Sequence, residues 1–293
     1  MPETQFHQLD EHEELFWGFL ADHEEVDRWF SAARADIAKI DPSLVTPAQV
    51  EAISTAMLVE SDLPVYMMEL LRSLRPYQYL ASFIPIWGEE EVKHFLILKL
   101  ALQRLGVDPR QLDRMIAETR ASTWNPPPTY SPAMVTAYTT VQEQLTTLFY
   151  DGVAARCQDP VLARIMRRIA KDERRHFAYY RKVTKALIAD DPSGQTRQDV
   201  RQALIEFDMP GAGIVPDYER RCKVSIQESG ITVQAAKQVL MIVHDFMGGN
   251  PLATLDVMRN SLFGAGMKAT GWDAVRLARQ VVLPTFRVRP TAQ

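Results

Sequence analysis

Trp-Gly-Glu-Glu-Glu-Val-Lys-His (87–94) and Ala-Lys-Asp-Glu-Arg-Arg-His (170–176) decide how this chain folds. Each contains Glu-x-x-His: Glu91 with His94, and Glu173 with His176. Residues three apart share a helix face, and both pairs fall on helical apolar stripes. One stripe runs Trp87, Glu91, His94, Leu98; the other runs Ile165, Ile169, Glu173, His176, Tyr180. Core-facing positions should be apolar, and a buried carboxylate or imidazole needs a partner. Two such pairs in one core point to a metal. Four-helix bundles that hold two irons use this arrangement: two helices give one Glu each, and two give Glu-x-x-His. Two more glutamates are therefore expected on other helices.

Glu60 lies on the stripe Ile53, Met57, Glu60, Pro64, Met67, Leu71, and Glu143 on the stripe Thr136, Thr139, Glu143, Thr146, Tyr150. The chain order is Glu60, Glu91 with His94, Glu143, Glu173 with His176. One Glu-x-x-His is common on solvated faces; two on apolar stripes, alternating with single glutamates, predict a two-metal site with the metals about 3.5–4 Å apart. Two metals need bridging or terminal oxygen ligands and a nitrogen donor each. Four carboxylates neutralise two ferrous ions, and two imidazoles keep the irons reducing enough to meet dioxygen. Each ligand His should donate its other N–H to an acceptor; Asp172 is the candidate for His94, with a solvated carboxylate as the alternative. Thr146, one turn after Glu143, should face the metals, or else bond back to a helix carbonyl.

The 293 residues and their 46% hydrophobic content can fill one large core. A net charge of −4 (33 Lys and Arg, 37 Asp and Glu) argues against nonspecific nucleic-acid binding. Cys157 and Cys222 form no spaced motif, which argues against a disulfide framework or a zinc-cysteine site and for two reduced thiols. The acidic N-terminus has no apolar run typical of a signal peptide. No window approaches the ~18 apolar residues of a membrane span. The chain thus reads as soluble and cytoplasmic.

The pattern predicts an all-α chain. Thr46-Pro47, Asp108-Pro109, Ser131-Pro132 and Asp159-Pro160 each put a good cap before Pro at the first helical position. Helices are expected over 9–39, 46–74, 80–106, 109–121, 132–156 and 160–190, then 196–208, 217–229, 232–247 and 272–281. Pro64 and Pro85 should kink a helix or delay its start. Residues 122–131, with Pro126, Pro127 and Pro128, read as a stiff connection, and Met209 to Pro216 as a second break.

Four segments carry a resemblance: Glu-Ser-Asp-Leu-Pro-Val-Tyr from Glu60, Trp-Gly-Glu-Glu-Glu-Val-Lys-His, Tyr-Thr-Thr-Val-Gln-Glu-Gln-Leu-Thr-Thr around Glu143, and Ala-Lys-Asp-Glu-Arg-Arg-His-Phe-Ala-Tyr-Tyr. They resemble the ligand segments of the soluble acyl-acyl-carrier-protein desaturases, the stearoyl-carrier-protein desaturase family. The likeness continues through Asp191-Pro192, Met209-Pro210-Gly211 and residues 262–289, covering about 55–289. It implies one ferritin-like domain over 1–293, a four-helix bundle at about 46–190 with extra N- and C-terminal helices. It further implies two iron ions held by Glu60, Glu91, His94, Glu143, Glu173 and His176, with Thr146 serving the oxygen-reactive site and Asp172 orienting His94. The implied enzyme is a dioxygen-dependent acyl-[acyl-carrier-protein] desaturase that introduces a cis double bond. It would be a homodimer that takes an acyl chain on acyl carrier protein.

No Gly-rich dinucleotide motif is present, so electrons should come from a separate, ferredoxin-type donor. The 31-residue connection from Glu60 to Glu91 is shorter than in the plant enzymes, and residues 1–45 match poorly. Trp17 and Trp29 are the candidates for an electron-transfer tryptophan. Arg164, Arg168, Lys171 and Arg175 form a stripe that reads first as a solvated face and second as a docking surface for an acidic carrier. His7, His12, His23 and His244 read as ordinary histidines. Met57, Met67, Phe149, Tyr150 and Met166 read as core first and channel lining second; the acyl chain is expected between the helices of Glu60 and Glu143, bordered by Met67, Thr146 and Tyr150. The alternative functions are a related di-iron oxygenase hydroxylating a carrier-bound acyl or polyketide intermediate, and a ferritin-like iron-oxidising protein. Length beyond about residue 190 argues against the latter.

Overall fold

The cap residues start the long helices as expected. Thr46 and Gln49 close a reciprocal capping box. Ser131 accepts from the Met134 amide and Asp159 from the Leu162 amide. Each such cap contributes about 1 kcal/mol, and Pro follows each at the first or second helical position, where its missing N–H costs nothing. The computed structural model describes residues 8–122, 131–231 and 233–264. Its long helices are α1 (Gln8–Ala21), α2 (His23–Asp36), α3 (Pro47–Ser61), α4 (Leu63–Leu74), α5 (Gln78–Arg104), α6 (Pro109–Ala121), α7 (Pro132–Arg156), α8 (Pro160–Ala189), α9 (Gln195–Ile205), α10 (Tyr218–Ser229), α11 (Val233–Phe246) and α12 (Pro251–Gly264). There is no strand among the described residues.

The bundle is built from α3, α5, α7 and α8. α7 lies along α8, α3 along α5, and α5 meets α8. Ile165, Ile169 and Tyr180 on α8, Leu98 and Trp87 on α5, and Ile53 and Met57 on α3 are all buried. Burying one such side chain contributes about 1.5–3 kcal/mol, which sets these stripes against one another and carries the intervening Glu and His residues inward. α10 packs on both α3 and α7. It comes close because Gly152 has no side chain: a Cβ there would sit 2.0 Å from the Ser229 carbonyl oxygen.

Three expectations need correction. The helix expected over 9–39 is two helices that break at Asp22. The break lets Phe19 pack on Phe83 and Tyr179 while Trp29 reaches Asp172; no Gly or Pro marks it. The helix expected over 46–74 breaks at Asp62, and Pro64 falls in the first turn of α4, so the late start is real there. Pro85, by contrast, lies inside α5, which runs through it unbroken. α12 was not foreseen, although Asn250 caps it by accepting from the Leu252 and Ala253 amides. The connection at Pro126–Pro128, the helix expected over 272–281, most of the 262–289 likeness and His7 lie outside the described residues.

Candidate metal centre

The six predicted residues converge. Glu60 comes from the last turn of α3, Glu91 and His94 from α5, Glu143 from α7, and Glu173 and His176 from α8. Glu60, Glu91, His94 and Glu173 form one group, and Glu91, Glu143, Glu173 and His176 a second; within each, one donor atom per residue lies within 4.8 Å of all the others. Glu91 and Glu173 belong to both groups, so two ions placed here would share them. Glu91, Glu143 and Glu173 are all at most 3% exposed, and both imidazoles are fully buried.

The two histidines are mounted alike. His94 turns Nδ1 toward Glu91 Oε2 and Glu173 Oε1, 3.2 Å from each. Its Nε2–H donates to Asp172 Oδ2 at 3.3 Å. His176 turns Nδ1 toward Glu91 Oε1 at 2.9 Å and toward Glu143 Oε2 at 3.6 Å. Its Nε2–H donates to Glu90 Oε2 at 2.7 Å. Asp172 also accepts from the Trp29 indole at 2.8 Å. Glu90, fully enclosed, also accepts from Arg175 and from His23 Nδ1, the latter at 2.7 Å. The single glutamates are held too: Tyr150 donates to Glu60 Oε1 at 3.0 Å, and the Trp87 indole to Glu143 Oε1 at 3.2 Å.

Glu91 Oε1, Glu143 Oε2, Glu173 Oε1 and His176 Nδ1 are buried and make no well-aligned hydrogen bond, although oppositely charged atoms of the cluster stand 2.9–3.6 Å from them. Leaving such a group unpaired costs about 1–3 kcal/mol, more when it is charged. All four atoms belong to the converging donor groups. The donor set is four carboxylates and two imidazoles, which suits a transition metal such as iron. The residues therefore fit a pair of divalent ions.

The electrostatics agree. Burial raises Glu60 well above the usual carboxylate range, and the charges of Glu91 and Glu173 push it further. Burial and the Glu173 charge do the same to Glu143. Burial would also raise Glu91, but the charge of His94 and the adjacent His176 imidazole hold it well below its normal value. Burial opposes the charged imidazole of His94, yet the Glu91 charge and Asp172 raise it strongly. Burial is likewise outweighed at His176, by Glu143, Glu173 and Glu90. Both imidazoles, Glu60 and Glu143 are thus pushed toward their protonated forms, which bound cations would oppose.

Beside Glu60 lies an apolar cavity of about 300 Å³ between α3, α7 and α10. Glu60, Thr146, Phe149 and Tyr150 line it, with Tyr218, Cys222 and Ile226 across from them. Thr146 reaches this wall, but its hydroxyl donates to the Gln142 carbonyl at 2.9 Å. Met67 packs instead over Gly88, where a Cβ would lie 2.4 Å from its sulfur.

The basic stripe on α8 pairs with acids of α2 and α5. Arg164 pairs with Asp36, Arg168 and Lys171 with Glu25, and Arg175 with Glu90. Arg164 and Lys171 stay more than half exposed, as a solvated face would be, while Arg168 and Arg175 are more enclosed. Trp29 is buried on the cluster side, whereas Trp17 is 55% exposed and bonds to Glu13. Glu90 was not foreseen, whereas His23 is the satisfied, non-ligand histidine expected, bonded to Glu90. A signal for Glu90 was present: an acid precedes each ligand pair, Glu90 before Glu91 and Asp172 before Glu173, and the reasoning that chose Asp172 for His94 selects Glu90 for His176.

An all-helical bundle with four carboxylates and two imidazoles converging in its core defines a class of helical proteins able to hold metal ions between paired helices. A family model described as fatty acid desaturase matches residues 18–265, and the chain belongs to that family. Among its relatives is the putative acyl-[acyl-carrier-protein] desaturase DesA1 of Mycobacterium tuberculosis, 26% identical over 193 residues, covering 63% of this chain and 56% of that protein. The chloroplastic stearoyl-[acyl-carrier-protein] 9-desaturase 6 of Arabidopsis thaliana is 32% identical over 149 residues, 47% of this chain and 38% of that one. The matched stretches thus span little more than half of these relatives, or less. The X-ray structure of putative acyl-ACP desaturase DesA2 from Mycobacterium tuberculosis H37Rv superposes with a TM-score of 0.55 at 19% identity, covering 74% of this chain and 80% of that one. It shows the shared fold. No helix among the described residues is long and apolar enough to cross a membrane.

Proposed function

We propose that this protein is an acyl-[acyl-carrier-protein] desaturase with two irons held by Glu60, Glu91, His94, Glu143, Glu173 and His176. The observation that carries this reading is the convergence of four carboxylates and two buried imidazoles, with donor atoms that make no well-aligned hydrogen bond, next to an apolar cavity bordered by Glu60. When bound, two ferrous ions would supply the reduction of dioxygen that removes two hydrogens from adjacent methylenes. The balance is one dioxygen, two electrons, two protons and a –CH2–CH2– unit giving a cis –CH=CH– unit and two waters.

The chain's own residues do the rest. Asp172 and Glu90 fix the outer nitrogens of His94 and His176, so that Nδ1 of each faces the carboxylates. The cavity's apolar wall suits an acyl chain and excludes water from the reacting segment. Thr146 stands in that wall, one turn from Glu143, where its hydroxyl could turn to serve the oxygen-reactive side. Of the candidates Trp17 and Trp29, Trp29 is the one connected to the cluster, through Asp172 and His94, and the electrons would come from a ferredoxin-type donor. The acyl chain arrives on acyl carrier protein, and the chain works as a homodimer forming one ferritin-like unit over its length. Reduced, iron-loaded protein incubated with carrier-bound acyl chains of several lengths should give products two mass units lighter. Hydroxylated product alone, sixteen units heavier, would replace the desaturase with an oxygenase; no product at any length would leave no enzyme of this class.

A further inference from the structure

Glu60 differs from the other three carboxylates of the cluster. It sits in the last turn of α3, which ends at Ser61, so the following turn does not brace it. Glu91, Glu143 and Glu173 stand in the middle of long helices. Each of those three also lies within 3.6 Å of an imidazole nitrogen. Glu60 is only half-buried and forms part of the cavity wall. Its Oε1 is taken by the Tyr150 hydroxyl at 3.0 Å, and Tyr150 is itself fully buried. The phenol comes from α7, two turns beyond Glu143, and its ring is held edge-on by Phe149 at 5.1 Å.

We infer that Tyr150 is the positioning residue for Glu60, and that it sets one metal position independently of the other. The inference rests on the two-metal reading. A Glu side chain at a helix end has several open rotamers. A donor locked in the core of the facing helix selects one of them. With Oε1 engaged, the carboxylate is held in one orientation toward Glu91, His94 and Glu173. Glu143 is held in the same manner by a different donor, the Trp87 indole. Glu60 belongs to one donor group and Glu143 to the other. The phenol and the indole therefore act on separate positions, although both positions share Glu91 and Glu173. Tyr150 also lines the cavity, so one side chain fixes both the cavity wall and the ligand behind it.

The test is Co2+ titration of the metal-free protein, followed by visible absorption, which reports the coordination of each ion. Wild-type protein should take two equivalents. Tyr150→Phe keeps the ring and removes only the hydroxyl. It should hold one Co2+ with wild-type affinity and spectrum, and bind the other about 10–100-fold more weakly, as removal of a ligand's hydrogen-bond partner does. Glu60→Gln should weaken the same position. The double variant should be no weaker than Glu60→Gln alone, because both changes act through one contact. It also guards against misfolding, since it leaves no unpaired charge where the hydroxyl was. Helical circular dichroism confirms folding in each case. Unchanged binding of both ions in Tyr150→Phe, equal weakening of both, or additive losses in the double variant would overturn the role. A wild-type protein that takes fewer than two Co2+ would instead refute the two-metal reading itself.

Discussion

Replacing Glu90 by Ala removes a fully enclosed carboxylate that accepts from His176, Arg175 and His23. Arg175 keeps only 16% of its side chain exposed, so water cannot stand in for the lost partner. Breaking a buried ion pair from one side costs about 3–5 kcal/mol. At about 2–4 °C per kcal/mol for a large domain, the metal-free protein should melt about 6–20 °C lower. Glu90→Gln, which keeps one acceptor for His176 but no charge, should fall between the two. The effect depends on pH in a fixed direction. Burial alone would raise Glu90, but His176, Arg175 and His23 hold its pKa down to about 2, against 4.5 unperturbed. Its contribution is therefore complete above about pH 4.5 and is lost as pH falls toward 2. Thermal melts of wild type and Glu90→Gln should accordingly differ at neutral pH and converge in acid. If Glu90→Ala melts within about 2 °C of wild type at pH 7, the buried network is not what holds the back of His176.

Other consequences are simpler to test. Asp172→Ala leaves the Trp29 and His94 donors without an acceptor; metal affinity, measured by calorimetry, should fall about 10–100-fold. Gly152→Ala places a methyl 2.0 Å from the backbone oxygen of Ser229. Backbone cannot swing aside as a side chain can, so the cost should reach or exceed about 3 kcal/mol, read as a lowered melting temperature and loss of order in α10 by hydrogen exchange. Loading the metal-free protein with Fe2+ under anaerobic conditions should release protons, because burial and neighbouring charges hold them on Glu60 and Glu143, and the carboxylates hold them on both imidazoles. A lightly buffered solution should acidify on addition.

Four-helix placement and the meeting of six side chains were legible because the signal is periodic. A charged residue repeated on an apolar stripe is expensive unless the stripes face one another, and the Ser, Thr and Asp caps with Pro behind them set the helix starts. What the sequence hid follows from tertiary contact. The break at Asp22 has no Gly or Pro; it exists because Phe19 and Trp29 dock on different parts of α5 and α8. The stripe of Arg164, Arg168 and Lys171 is amphipathic by sequence, and only the packing of α2 brings Glu25 and Asp36 over it. Thr146 bonds to its own helix at Gln142, an option open to any helical threonine. The Asn250 cap was readable, but Gly248 and Gly249, both at positive φ, turn the chain straight from α11 into α12.

The central claim is that six side chains of one chain hold two ions through two shared carboxylates. Anomalous diffraction from crystals of Fe2+-loaded protein tests it most directly. The account predicts two iron peaks about 3.5–4 Å apart, both contacted by Glu91 and Glu173, one also by Glu60 and His94 and the other by Glu143 and His176. A single peak, no peak, or iron bound away from these residues would contradict it.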